Sequence, residues 1–223
     1  AGPGRASAVL LGHTLDDQAE TVLLALARGS GSRSLSGMAA RSGVYRRPLL
    51  GLPREIVARA AAAAAAADSR LEPWSDPHNL DLGLRRVRVR RLALPALVEA
   101  VGPGVVAALA RTARLARDDA DALDGWADTV WASLPPATSP LGTSPTAEAS
   151  LRLDGPTKGL PRAVVTRIVR RFLLSAGCPA EALTAEHVWA VTALLDDPPS
   201  GAEVALPGGR RARRVAASVV VRA

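Results

Sequence analysis

The chain has 223 residues, 48% of them apolar, which is enough for one large or two small domains with real cores. Its formal net charge is +7, and among 28 basic residues only Lys158 is a lysine, so the charge is carried by arginine. A single cysteine, Cys178, excludes a disulfide framework and a cysteine-rich metal site; with no apolar run of about 18 residues, signal peptide or lipidation motif, a cytoplasmic protein without a membrane partner is expected.

In chain order, Ala8-Val9-Leu10-Leu11 reads as a strand buried on both faces of a parallel sheet. The run Gly12-His13-Thr14-Leu15-Asp16-Asp17-Gln18-Ala19-Glu20-Thr21 follows at once, opening a helix predicted over residues 15–28. Thr14 or Asp16 caps it, and Val22, Leu23 and Leu26 give it an apolar side. On a helix His13, Asp17 and Glu20 stand at i, i+4 and i+7 and share a face, at the carboxyl end of a strand, where open α/β sheets bind ligands. A purely structural reading takes Thr14 and Asp17 as a capping box and the acids as complements of the helix dipole. Capping has no use for Gln18 and Glu20 in the second turn, or for Arg28-Gly29-Ser30-Gly31 beyond it.

A glycine and serine loop to Gly37, a strand over 45–50 and a helix from Pro53 to Ala67 complete an α/β half. The alanine run 60–67 is a strong helix former with little side-chain volume. Residues 80–125 read as helical with a break at Gly102-Pro103-Gly104. Within them Arg85, Arg86, Arg88, Arg90 and Arg91 concentrate positive charge, which phosphates would attract; the competing reading is an exposed basic helix face. The stretch around Pro135-Pro136 to Pro145 reads as a linker. Helices over 162–176 and 184–195 follow, then strands over 204–206 and 211–221 in a closing hairpin. Trp126, Trp131 and Trp189 are expected in the core, and Cys178 in a turn before Pro179. The division is 1–78 for the α/β half, 79–132 for a basic helical connector, 133–150 for the linker and 151–223 for a helical C-terminal domain.

Residues 11–37 (LGHTLDDQAETVLLALARGSGSRSLSG) resemble the second signature of the tRNA(Ile)-lysidine synthetase family, N-type ATP pyrophosphatases of the PP-loop class. The resemblance extends through Arg47-Pro48-Leu49-Leu50, Trp74-x-Asp76-Pro77-x-Asn79 and the arginine segment ending in Leu94-Pro95, and more weakly to residues from Leu160 onward. It departs in three places. The family's Ser-Gly-Gly-x-Asp-Ser phosphate loop does not occur in residues 1–223, Thr14 stands where many members have a second His, and Val87 where an Asn is expected. The reading is of a piece that continues upstream and is inactive alone.

The resemblance implies a fold class: the C-terminal part of a doubly wound PP-loop domain, then a mostly helical tRNA-binding domain with a terminal β-hairpin. It also implies ATP-dependent ligation of L-lysine to C2 of cytidine 34 in tRNA(Ile), through an adenylated cytidine, with Mg²⁺ as cofactor. His13, Asp17 and Glu20 would be catalytic, with Asp17 as the base or the group that positions the amine. Asp16, Gln18, Arg28, Gly29 and Gly31 would bind ATP or lysine, with Asp16 or Asp17 holding any metal, and Arg85, Arg86, Arg88, Arg90 and Arg91 would grip the tRNA. A homodimer is compatible with the sequence. Two other readings remain at this point, a PP-loop enzyme that thiolates tRNA and a non-catalytic RNA-binding module.

Overall fold

The computed structural model describes residues 7–29, 31–134, 149–152, 157, 159–196, 201–215 and 218–222. The chain divides into two compact units, residues 1–120 and 121–223.

In the first unit, β1 (Val9–Leu10) runs parallel to β3 (Tyr45–Arg46), which pairs antiparallel with β2 (Arg41–Ser42). The parallel neighbour is as expected, but burial on both faces is not: Leu10 is 72% exposed among the described residues, because one two-residue neighbour covers only an edge. β3 is also shorter than the strand predicted over 45–50, since Arg47 to Leu50 close a turn in which the Leu50 amide donates to the Arg47 carbonyl at 3.3 Å.

Helix α1 (Leu15–Leu26) forms where predicted and ends two residues early, with Ala27 as its C-cap. Thr14 is the N-cap; its amide and hydroxyl both donate to the Asp17 carboxylate at 2.8 Å. Ala19, Val22 and Ala25 are its buried apolar residues. The loop expected after it contains a single helical turn, α2 (Ser32–Leu35). Helix α3 (Arg54–Ala67) has Pro53 as N-cap rather than in its first turn, and none of its residues is buried. Alanine propensity and anchors at its N-terminus hold it, since little apolar area is available.

Short 3₁₀ turns at Ser69–Leu71 and Pro77–Leu80 lead to a helical stretch made of α4 (Arg85–Arg88), a π turn (Val89–Ala93) and α5 (Leu94–Val101). Pro95 explains the π turn: lacking an N–H and crowding the carbonyl four residues back, it is accommodated by locally widening the helix. Gly102, at φ +96°, ends the stretch, and α6 (Val105–Ser133) follows the predicted break.

In the second unit, α7 (Arg162–Ser175) presents Val164, Ile168, Val169, Phe172 and Leu173 to a core shared with Val188 and Val191 of α8 (Ala185–Ala193). A four-stranded sheet in the order β4-β7-β6-β5 completes it. Its strands are β4 (Ala149–Arg152), β5 (Glu203–Ala205), β6 (Arg211–Val215) and β7 (Ser218–Arg222), all antiparallel to their neighbours. The strand expected over 211–221 is therefore two strands, and β4 pairs along β7 within a stretch read partly as linker; residues 135–148 of that linker lie outside the described residues. Cys178 is buried just after α7, its amide donating to the Leu173 carbonyl at 3.0 Å. Of the tryptophans expected in the core, only Trp131 packs against it. Trp126 is 46% and Trp189 54% exposed, because each lies off its helix's apolar stripe.

Candidate active site

The site begins at the carboxyl end of β1. Asp17 and Glu20 lie one turn apart on α1, and both are buried, Glu20 completely. Burial of two carboxylates is tolerable only if they are paired, and three arginines from two other elements supply the pairing. Arg54, the first residue of α3, donates through one Nη to Asp17 Oδ1 and Glu20 Oε1, both at 2.9 Å. Arg90 reaches Glu20 Oε1 through Nε at 2.7 Å, and its Nη reaches Glu20 Oε2 at 3.1 Å and Asp17 Oδ1 at 3.2 Å. Arg86 donates through Nε to Glu20 Oε2 at 2.9 Å. Asn79, from the 3₁₀ turn, accepts from Arg90 at 3.3 Å.

These contacts decide the charge states. Burial pushes the Asp17 carboxyl up, but bonds from the Thr14 amide and hydroxyl and the nearby Arg54 and Arg86 charges outweigh it, leaving it below the ordinary aspartate value. Glu20 behaves alike: burial raises it, and bonds from Arg90, Arg86 and Arg54 carry it below the glutamate norm. Each Asp17 oxygen already accepts two hydrogen bonds, so a carboxylate with about four acceptor positions is saturated. Two carboxylates face three guanidiniums, and the cluster keeps a net positive charge.

His13 precedes the N-cap and so stands outside α1, not on its i, i+4 face. Its Nδ1 accepts from Arg47 Nε at 3.3 Å. Burial lowers its pKa, Asp17 partly opposes this, and the Arg47 and Arg86 charges lower it further, so the ring is neutral near pH 7. With Nδ1 accepting, the neutral ring carries its proton on Nε2, which makes it a donor.

The remaining expected site residues are spread more widely. Asp16 accepts from the Arg54 amide at 2.7 Å, capping α3. The Gln18 side chain is spent on the backbone of Met38, donating to its carbonyl at 3.0 Å and accepting from its amide at 2.7 Å. Arg28, Gly29 and Gly31 lie beyond the far end of α1, whose last residue is itself about 13 Å of helical rise from Asp17. The five-arginine segment is divided: Arg86 and Arg90, one turn apart, face α1, while Arg85, Arg88 and Arg91 are exposed, Arg88 donating to the carbonyls of Leu82 and Gly83. Two members of the cluster, Arg47 and Arg54, carried no functional reading in the sequence. Their only signal there was their place in Arg47-Pro48-Leu49-Leu50 and just after Pro53.

Mg²⁺ does not fit the carboxylates of α1. Asp16 caps a helix, Asp17 is saturated and surrounded by cations, and among the described residues no group of three or more His, Cys, Asp and Glu side chains converges as metal ligands. No single helix among the described residues is long and apolar enough to cross a membrane.

Comparison with known proteins locates two domains on the chain. A PP-loop domain model matches residues 2–97, and a TilS substrate binding domain model matches residues 155–219. The chain is 53% identical over 219 residues to the tRNA(Ile)-lysidine synthase of Thermobifida fusca, covering 98% of this chain and 63% of that protein. It is 48% identical over 220 residues to the protein of that name from Streptomyces coelicolor (97% and 58% covered), and 43% identical over 210 residues to that from Rhodococcus erythropolis (94% and 59%). The chain thus spans about three fifths of the length of these relatives.

Proposed function

We propose that the chain belongs to the tRNA(Ile)-lysidine synthase family of PP-loop proteins and, from that premise, that the protein ligates L-lysine to C2 of cytidine 34 in the CAU anticodon of an isoleucine tRNA, driven by ATP. The observation that carries this reading is the presence of a PP-loop domain and a TilS substrate binding domain on one chain in that order. A solely RNA-binding module has no use for the first. Thiolation finds no support within these residues, since Cys178 is buried and its thiol pushed up by burial, the opposite of a reactive sulfur carrier.

The chemistry has two steps. The cytosine O2 attacks the α-phosphorus of ATP and the bond to the bridging oxygen breaks, releasing pyrophosphate. The deprotonated lysine amine then attacks C2 and the C2–O2 bond breaks, so AMP leaves carrying that oxygen. In this scheme the neutral His13 ring donates from Nε2 to cytosine O2, orienting it. Asp17 and Glu20 hold Arg54, Arg86 and Arg90 in place, and the outward N–H groups of those partly exposed guanidiniums receive an anion, the transferred phosphate or the lysine carboxylate. Asp17 thereby positions groups and is not assigned as base, since a saturated carboxylate of lowered pKa accepts protons poorly near pH 7. Mg²⁺ accompanies ATP in this proposal without a ligand on α1. In this proposal the protein works in the cytoplasm, where ATP and tRNA meet.

The test is a reaction of full-length protein with ATP, L-lysine and an unmodified tRNA(Ile) transcript bearing CAU, followed by mass analysis of the nucleoside from position 34. Release of pyrophosphate with a lysine-dependent gain of mass at C34 is expected. Pyrophosphate release with no change of nucleoside mass, or a gain of sulfur, would overturn the reading.

A further inference from the structure

Beside the carboxylate cluster, the first unit contains a cavity of about 470 Å³, within the range of roughly 300–1,000 Å³ usual for small-molecule pockets. Its walls are apolar where Leu15, Met38, Leu50 and Ala107 line it, and cationic where Arg111 and Arg114 do. The wall is tightly built. The Gln18 amide clips Met38 from both sides, and Arg117 donates through Nη to the carbonyls of Ser36 at 2.6 Å and Gly37 at 2.8 Å, tying α6 to the same loop. Gly37 stands at φ +57°, and a Cβ there would lie 2.5 Å from Gln18 Oε1, so the approach requires glycine.

Arg111 and Arg114 differ from the arginines of the cluster. Arg54, Arg86 and Arg90 are paired with Asp17 and Glu20, whereas Arg111 and Arg114, both exposed, form no ion pair among the described residues. They stand three residues apart on α6, about 4.5 Å in axial rise, at the solvent-facing side of an apolar recess. Apolar walls beside unpaired guanidinium groups suit a nucleobase with its phosphate. We propose that this cavity takes one unpaired RNA nucleotide, its base against Leu15, Met38 and Leu50 and its phosphate on Arg111 and Arg114. A strand passing an open mouth suits exposed cations. Arg117, the third arginine of the lining, is engaged with the Ser36 and Gly37 carbonyls, so Arg111 and Arg114 are the two that face a phosphate, fewer than a triphosphate would need. The inference deepens the lysidine reading by adding an RNA contact outside the Arg85–Arg91 segment, and it rests on that reading for the choice of RNA.

The test uses full-length protein, a labelled anticodon stem-loop RNA with a CAU anticodon, and ATP as a separate probe. Arg111→Gln combined with Arg114→Gln should weaken RNA binding by about tenfold or more, the effect of losing charge-assisted contacts. It should also reduce the slope of log affinity against log salt by about 0.7, the value for one single-stranded phosphate contact. The KM for ATP in pyrophosphate release should not move. Ala107→Glu, at an exposed position, should weaken RNA binding in the same sense without lowering Tm. Unchanged affinity and slope in both variants, or a raised KM for ATP with RNA binding intact, overturns the proposal. The two readings fail separately: wild-type protein that makes no lysidine while the variants lose RNA binding sinks the ligase reading alone, and wild-type protein that makes lysidine while the variants bind RNA normally sinks the cavity alone.

Discussion

At the scale of single residues, Asp17 and Glu20 share partners but differ in what a lost charge leaves behind. Glu20 is wholly buried and accepts only from arginines, so Glu20→Gln leaves three guanidiniums short of one counter-charge. Breaking a buried pair costs about 3–5 kcal/mol, and partial exposure of Arg54 and Arg86 reduces this to about 1–3 kcal/mol. Asp17→Asn retains the accepting oxygen that Thr14 uses, and Asn caps helices as well as Asp, so its stability cost should be the smaller of the two. Its activity cost should still be about a hundredfold, the order expected when loss of a positioning charge lets the guanidiniums it holds shift by about 1 Å. Denaturant unfolding of both variants beside lysidine formation checks this: an active, destabilised Asp17→Asn protein would make Asp17 purely structural.

Among the elements, the loop between α2 and β2 depends on one conformation at one residue. Gly37 combines a left-handed φ of +57° with a close approach to the Gln18 side chain. Gly37→Ala must therefore bear backbone strain and push the amide off Met38, at a cost above the roughly 1 kcal/mol of an ordinary unfavourable glycine replacement. Amides near Met38 should then exchange hydrogen faster, and those of α7 in the second unit should not. Equal protection of residues 36–40 in variant and wild type would show that the Gln18 clip contributes little. The α6 and α7 pairing is more redundant: Arg167 meets Asp124 at 2.6 Å and Arg171 meets Asp128 at 2.7 Å, two bridges in parallel. This uses Arg167 and Arg171 of α7, leaving Arg162 and Arg170 exposed.

For the molecule as a whole, these charges make stability depend on pH in a definite direction. Asp17 and Glu20 have folded-state pKa values below their ordinary ones, so their contribution is present above about pH 4 and is lost as pH falls through the lowered values. His13 is also lowered, so its smaller contribution is complete above about pH 6.5 and declines as pH falls below that. Acidification should therefore open the first unit around α1, with a slight onset near pH 6 from His13 and a steep one below about pH 4. Hydrogen exchange in residues 14–26 followed from pH 7 to pH 3, after correction for intrinsic rates, reads this out. Glu20→Gln should flatten the steep limb; an identical limb in the variant would take Glu20 out of it.

Much of this was legible along the chain because it is local. The capping box at Thr14 and Asp17, the break at Gly102-Pro103-Gly104, helices α7 and α8 and the family signature over residues 11–37 each depend on residues close together in sequence. What was not legible is pairing over distance. The roles of Arg86 and Arg90 turn on Glu20, 66 and 70 residues away, and that of Arg54 on a carboxylate 34 residues away. A run of arginines reads the same whether its guanidiniums face solvent or a buried carboxylate, because composition records charge but not the face on which a helix presents it. The cavity beside Arg111 and Arg114 is hidden for the same reason: it exists only where α1, the Met38 loop and α6 meet. Covalent neighbours dictate where a helix starts and stops, and desolvation, which acts only once remote segments pack, dictates which of its charges are neutralised and which remain to meet a ligand.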